Sequence, residues 1–204
     1  MENYIYEIPN LVPTDLCTRI IIRFETDNRK CKGAIHQDYV RVVDEKLKKN
    51  VELFITGKSG WEDIDTEISK YISIGLKKYF SHLHTTFEDK NKLSHIYKGM
   101  ICSKFEDTGY DIQRIARGDS YAWHHDDNWY GIEGRVLNCL LYLNTLEDHE
   151  GGKTELLGGT KIQPQAGKLL IFPCSWTFPH CGNEVKGDYK YICCSSVRIC
   201  APSK

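Results

Sequence analysis

Apolar residues recur along this chain with two different periods. Near the start, Leu16, Ile20 and Phe24 lie four apart, the spacing of a helix that buries one stripe, and Thr14 is read as its N-cap. A stronger pattern runs from about Glu62 to Leu83, where Ile64, Ile68, Tyr71, Ile72, Tyr79 and Phe80 fall on one helical face behind Ser59-Gly60. Its aromatics are read as core, packed on a sheet. A short extended segment, Tyr4 to Ile8, precedes both helices.

From Asp111 onward the period changes. Short apolar runs alternate with turn residues: "DIQRIAR", "YAWHHD", "VLNCLLYLNT", "KTELL", "TKIQ", "KLLIFP", "WTFPH" and "YKYICCSSVRIC". Many short strands at such spacing predict an antiparallel sandwich or barrel. Helices first and strands afterwards give an α+β protein, a β-sandwich with N-terminal helices packed on one sheet.

Composition adds bounds. At 204 residues, 41% hydrophobic, the chain can bury a core without disulfides, and no linker or repeat divides it. The expectation is one domain over 1–204, with 1–100 mainly helical support and 110–200 the working core. A net charge of -1 gives no reason to expect nucleic acid or an anionic membrane. The Lys46, Lys48 and Lys49 run is read as a solvated face. No stretch approaches the roughly 18 apolar residues of a membrane span, and the start lacks the pattern of a secretory signal, so a cytoplasmic location is expected. The nine cysteines include no CxxC pair and are read as reduced and mostly buried.

The chemistry concentrates in "WHHDDNW", residues 123–129. Alternate side chains of an extended strand point to opposite faces, so only one pair, His124 with Asp126 or His125 with Asp127, can serve one ion. Two histidines and a carboxylate on one face form the ligand set of non-haem Fe(II) oxygenases. A later histidine must complete the set, and His180, after an apolar strand and beside Phe178-Pro179, is the candidate.

The run "GDSYAWHHDDN", "GRVLNCLLYLN", "EGGKTELL", "GKLLIFP", "FPHCGNEVKGDYKY" resembles the Fe(II)- and 2-oxoglutarate-dependent dioxygenases of the prolyl 4-hydroxylase-like group, over about residues 110 to 200. The resemblance implies a double-stranded β-helix, or jelly roll. Its Gly-x-x-Tyr element, Gly118 to Tyr121, assigns the iron ligands to His124 and Asp126, with His180. It also implies that Lys190, ten residues after His180, pairs with the far carboxylate of 2-oxoglutarate, in preference to Lys186. Tyr142 and Asn138 would line the cosubstrate pocket, and Gly151-Gly152 would form a structural turn. Where many relatives carry an aromatic three residues before the glycine of "GDSY", this chain has Ile115, so one cosubstrate contact is missing or supplied elsewhere.

The implied activity is hydroxylation of an unactivated C–H bond, with a prolyl residue of a protein or peptide as first substrate, coupled to conversion of 2-oxoglutarate and O2 to succinate and CO2, with ascorbate as a reductant. The alternatives are a hydroxylase of another amino acid or small molecule, a jelly-roll sensor without turnover, a zinc hydrolase and a nucleic-acid demethylase. The segment 127–134, with Trp129 and Tyr130, is read as a substrate lid. Residues 49–61 are read as an edge strand and loop near the site, and Trp123, Trp176 and Arg135 as structural.

Overall fold

The computed structural model describes residues 2–37, 40–87, 96–97, 105–127 and 134–199. The proposed lid residues Trp129 and Tyr130 lie outside these, as do Cys102 and Cys200. The N-terminal part contains β1 (Tyr6–Ile8), α1 (Thr14–Thr26), β2 (Cys31–Lys32), β3 (Ile35–Gln37), β4 (Val40–Val42), β5 (Val51–Phe54) and α2 (Glu62–Thr86). Strands then follow: β6 (Phe105–Asp107), β7 (Asp111–Ala116), β8 (Tyr121–His124), β9 (Arg135–Tyr142) and β10 (Thr154–Leu156). The last are β11 (Lys161–Ile162), β12 (Leu169–Pro173), β13 (His180–Gly182) and β14 (Tyr189–Ile199).

The strands form a major sheet, β1-β12-β9-β14-β7-β5-β2 with β6 also on β14, a minor sheet, β11-β10-β13-β8, and a separate β3-β4 hairpin. This is the expected jelly-roll sandwich with helices on one sheet, although the two sheets do not close into a barrel. Strand alternation creates two cores. On the outer face of the major sheet, Leu53, Ile112, Cys139, Leu141, Leu169 and Cys193 meet Leu16, Ile20 and Phe24 of α1 and Ile64, Ile68 and Phe80 of α2. On the inner face, Leu140, Tyr142, Leu170, Phe172 and Ile192 meet Leu156 and Ile162 of the minor sheet. Burying each large apolar side chain contributes about 1.5–3 kcal/mol. The helices therefore brace the sheet from behind and leave its other face for chemistry.

Three local readings change. Pro13, not Thr14, is the N-cap of α1, with no side-chain cap; its extended ψ of 141° and its carbonyl, which accepts from Leu16 and Cys17, start the helix one residue earlier. The strand at the N-terminus begins at Tyr6, because Glu2–Tyr4 forms a single 3₁₀ turn. "WTFPH" is a turn as far as Pro179, and only His180 onward is strand. Among the described residues Cys17, Cys139, Cys174, Cys181 and Cys193 are buried, Cys194 is half-buried, Cys31 is exposed, and none is in a disulfide. Among them, too, no helix is long and apolar enough to cross a membrane.

Gly75 lies at the contact of α2 with the sheet, and a Cβ there would overlap the Leu169 side chain. Leu169 is fully buried and cannot swing out into solvent. Gly75→Val is expected to destabilise the fold by about 1–3 kcal/mol through overpacking. Denaturant titration monitored by circular dichroism measures this, and an unchanged midpoint would show that the helix can slide on the sheet.

Candidate metal centre and cavity

The pairing of β13 with β8 places His180 directly opposite His124. Their rings lie 4.2 Å apart between centroids. Asp126 follows two residues after His124, on the same side, just past the end of β8. Its Oδ1 is 3.7 Å from His124 Nε2 and its Oδ2 is 3.4 Å from His180 Nε2. One potential ligand atom from each of the three residues lies within 4.8 Å of the others. This is compact enough for a single ion.

The donors carry suitable protonation states. His124 Nδ1 is 2.8 Å from the Ala122 carbonyl; donating there leaves the Nε2 lone pair directed at Asp126. Burial pushes the His124 pKa down to about 4 and lowers that of His180 as well, so both imidazoles are neutral at pH 7. Burial acts against charge on Asp126, but the two histidines, Arg135 and the Asn138 amide outweigh it and hold the carboxyl below its ordinary value. The result is two neutral nitrogen donors and one carboxylate. His125 is exposed and Asp127 half-buried, and neither belongs to the cluster.

Asn138 does more than line the cavity. Its amide donates to Asp126 Oδ2 at 2.7 Å, and its carbonyl oxygen accepts from Ser196 Oγ at 3.1 Å. Arg135, read as structural, also lines the cavity and lies within electrostatic reach of Asp126. The cavity itself holds about 760 Å³ between the sheets, with Trp123 half exposed at its rim. Trp176 is exposed and does not line it.

Lys190 sits inside, 4% exposed. Its Nζ donates to the Gly152 carbonyl at 2.7 Å and lies 5.5 Å from the centroid of the Tyr142 ring. Among the described residues no carboxylate is paired with it, and burial pulls its pKa down to about 8. Lys186 is exposed, away from the cavity. Gly152 earns its place through conformation as well: at φ 68°, a Cβ would lie 2.7 Å from Leu146 and displace the carbonyl that holds Lys190. Tyr142 does not line the cavity; its hydroxyl donates at 2.7 Å to Thr154 Oγ1, which does. Tyr142 can therefore position Thr154 rather than reach a ligand directly. Ile115, the cross-strand neighbour of Lys190, lines the same wall and offers no hydroxyl.

Two readings of the N-terminal half are corrected in part: Glu52 and Phe54 of β5 do line the cavity, but the end of segment 49–61 does not. Trp61 is 1% exposed and its indole donates at 2.9 Å to Asp27 Oδ2, so it caps the helical core rather than shaping the site. Lys48 is not solvated but 7% exposed, with its Nζ 2.8 Å from Glu52 Oε2 and 5.3 Å from the Tyr121 ring. The backbone bonds of Ala122 to Leu47 and Lys49 to Ser120 draw this segment against β8. Charge patterning cannot reveal a lysine buried by such a long-range pairing.

A jelly roll with two histidines and an aspartate converging in one cavity defines the non-haem iron oxygenase class. Residues 110–197 match the family model of the 2OG-Fe(II) oxygenase superfamily. A PKHD-type hydroxylase of Prochlorococcus marinus (strain NATL1A) is 30% identical over 152 residues, 72% of this chain and 58% of that protein. One from Synechococcus sp. (strain CC9902) is 34% identical over 85 residues, 40% of this chain and 37% of that protein. The chain thus spans less than two thirds of the curated relatives it matches. The fold is shared with a Trichoplax adhaerens prolyl hydroxylase solved with a hypoxia inducible factor oxygen degradation domain peptide, at TM-score 0.70 and 17% identity, covering 96% of this chain and 84% of that one. The matched family implies Fe(II), 2-oxoglutarate and O2, and the His-Asp-His donor set fits the metal.

Replacing Asn138 by Ala removes the amide that orients Asp126. Metal affinity, read by Co(II) absorption titration, is expected to fall about 10–100-fold, with the fold intact by circular dichroism. Unaltered affinity would reduce Asn138 to a cavity-lining residue.

Proposed function

We propose that this protein is an Fe(II)- and 2-oxoglutarate-dependent dioxygenase that hydroxylates a C–H bond, with a prolyl residue of a protein or peptide as the leading substrate. The observation that carries the reading is the buried Lys190 ammonium in the same cavity as the His124, Asp126 and His180 cluster. A cation buried beside one neutral carbonyl is costly, and an anionic ligand recovers that cost. A diacid such as 2-oxoglutarate suits two anchoring points, Lys190 at one end and the metal at the other.

In this reading His124 Nε2, Asp126 and His180 Nε2 hold Fe(II). The bound metal, with 2-oxoglutarate and O2, supplies the oxidising chemistry that yields succinate, CO2 and hydroxylated product. The protein does the rest. Asn138 fixes Asp126, Lys190 orients the cosubstrate, Thr154, held by Tyr142 from behind, completes that wall, and Leu140 and Ile192 keep the floor apolar. No side-chain nucleophile is required. The prolyl assignment draws on the fold shared with prolyl hydroxylases and on the PKHD-type relatives. Hydroxylation of another amino-acid residue uses the same centre. The whole chain is taken to act as one domain, in the cytoplasm.

The decisive experiment is anaerobic loading with Fe(II), then oxygen and 2-oxoglutarate, with succinate quantified against a panel of prolyl peptides and metabolites. Succinate is expected with the parent and absent with Asp126→Ala; iron-loaded parent that forms none would overturn the reading. Lys190→Ala is expected to raise the KM for 2-oxoglutarate at least about a hundredfold, since breaking a buried ion pair costs about 3–5 kcal/mol. The pH dependence has a defined sign. The free Lys190 is charged below about 8, so 2-oxoglutarate binding is expected to weaken as pH rises through that value. A KM flat from pH 7 to 9 would remove Lys190 from the role.

A further inference from the structure

The cavity continues past the metal cluster along the inner face of β7 and β5, into a region that the metal and 2-oxoglutarate do not use. Register fixes its floor. Asp111 of β7 pairs with Cys194 of β14, which pairs with Leu140 of β9. On the other side Asp111 pairs with Phe54 of β5, and Gln113 pairs with Glu52. Asp111, Gln113, Glu52 and Phe54 all line the cavity. Asp111 stands two strands and two residues along from Asn138, about 12 Å at the usual strand spacing and rise, so a group bound there belongs to the same molecule that presents its reacting carbon to the metal.

The charges in this region are unequally satisfied. Glu52 is held by Lys48 Nζ at 2.8 Å and by Arg41 at 3.0 Å. Lys48 is in turn fixed by the Ala34 carbonyl at 3.3 Å and by the face of Tyr121, whose other contact is a stack on His124 with centroids 3.6 Å apart. Among the described residues Asp111 has no cation of its own. Its hydrogen-bond donor is the neutral amide of Gln113, 2.7 Å from Oδ2. The charged groups facing it are Glu52, which repels it, and Lys48 and Arg41, both already committed to Glu52; the neighbouring Cys194 thiol is neutral, its own pKa raised by burial. A carboxylate in a low-dielectric cavity with one neutral donor is short of a positive partner.

We infer that Asp111 is the substrate-recognition residue of this cavity and takes an ammonium or guanidinium group, so that the preferred substrate is cationic within about 12 Å of the hydroxylated carbon. The cation can come from a basic side chain or from a free main-chain amine. Lys48 and Arg41 hold Glu52 back from competing, and Phe54 offers an apolar wall for the methylenes that lead to the charge. Burial and the Glu52 charge raise the Asp111 pKa to about 6, and an arriving cation would lower it again. This substrate class rests on the dioxygenase reading above, but its binding can be measured without turnover.

The test is calorimetric titration of protein loaded with Zn(II) and 2-oxoglutarate, which binds substrate without oxidising it. Three probes differ only in the position of charge: N-acetyl-lysine methylamide on the side chain, norleucine methylamide on the main chain, and N-acetyl-norleucine methylamide with none. One cationic probe is expected to bind at least about tenfold tighter than the neutral one, the scale of a charged hydrogen bond, and which one identifies the source of the charge. Asp111→Asn is expected to bring the probes within about twofold of each other. Equal binding by the parent, or a preference that survives in Asp111→Asn, overturns the inference. Should that variant fail to fold, the parent decides it alone: the cation preference must fade as pH falls through about 6, and a preference constant from pH 8 to 5 sinks the assignment. Cation preference without succinate formation would refute the dioxygenase reading and leave this one standing, whereas succinate formation without the preference would do the reverse.

Discussion

The site depends on the register between β13 and β8. With His180 opposite His124, two imidazoles separated by more than fifty residues of chain become neighbours on one strand pair. A slip of one residue would turn one of them to the other face, since side chains alternate along a strand. The apolar core between the sheets guards that register, because Leu156, which pairs with His180 from the far side, must stay buried against Phe172 and its neighbours. Packing and ligand placement are thus one constraint.

The major sheet works through the same alternation. From Leu137 on, odd-numbered positions of β9 face the helices, and even-numbered positions, Asn138, Leu140 and Tyr142, face inward. On β14, Lys190, Ile192 and Cys194 line the cavity while Cys193 supports the helices. One rigid surface therefore carries, in order, an ammonium, an apolar floor and a carboxylate. Helix packing behind the sheet sets how precisely that order is held.

Much of this was legible in the sequence for physical reasons. The helix stripe at Ile64, Ile68 and Ile72 and the strand runs after Asp111 are local patterns, and the structure follows them. Spacing alone could not choose between His124 with Asp126 and His125 with Asp127; resemblance made that choice, and the geometry brings His124, Asp126 and His180 together. What stayed hidden were properties of long-range pairing. Lys48 looked solvated because its burial comes from contacts with Tyr121 and Glu52. Trp61 looked like a loop residue near the site because nothing local reveals its bond to Asp27. Asp111 is simply the first residue of a strand until β5 and β14 flank it. Tyr142 is named by resemblance, and what the sequence could not show is that its hydroxyl reaches the cavity through Thr154.

The chain of bonds from Ser196 through Asn138 to Asp126 has a mechanical side. Ser196 and Asn138 belong to the major sheet, while Asp126 continues the outer strand of the minor one. An ion held by Asp126 and the two histidines would therefore staple β8 to β13 within the minor sheet, and only the Asn138 hydrogen bond would pass its grip on to the major one. Pulling β8 from β13 and releasing the ion would become a single event, so that the free energy of metal capture would also be energy of cohesion for that strand pair. A chelator would then act on this protein as a mild denaturant, loosening one edge of the shell by emptying a single point within it.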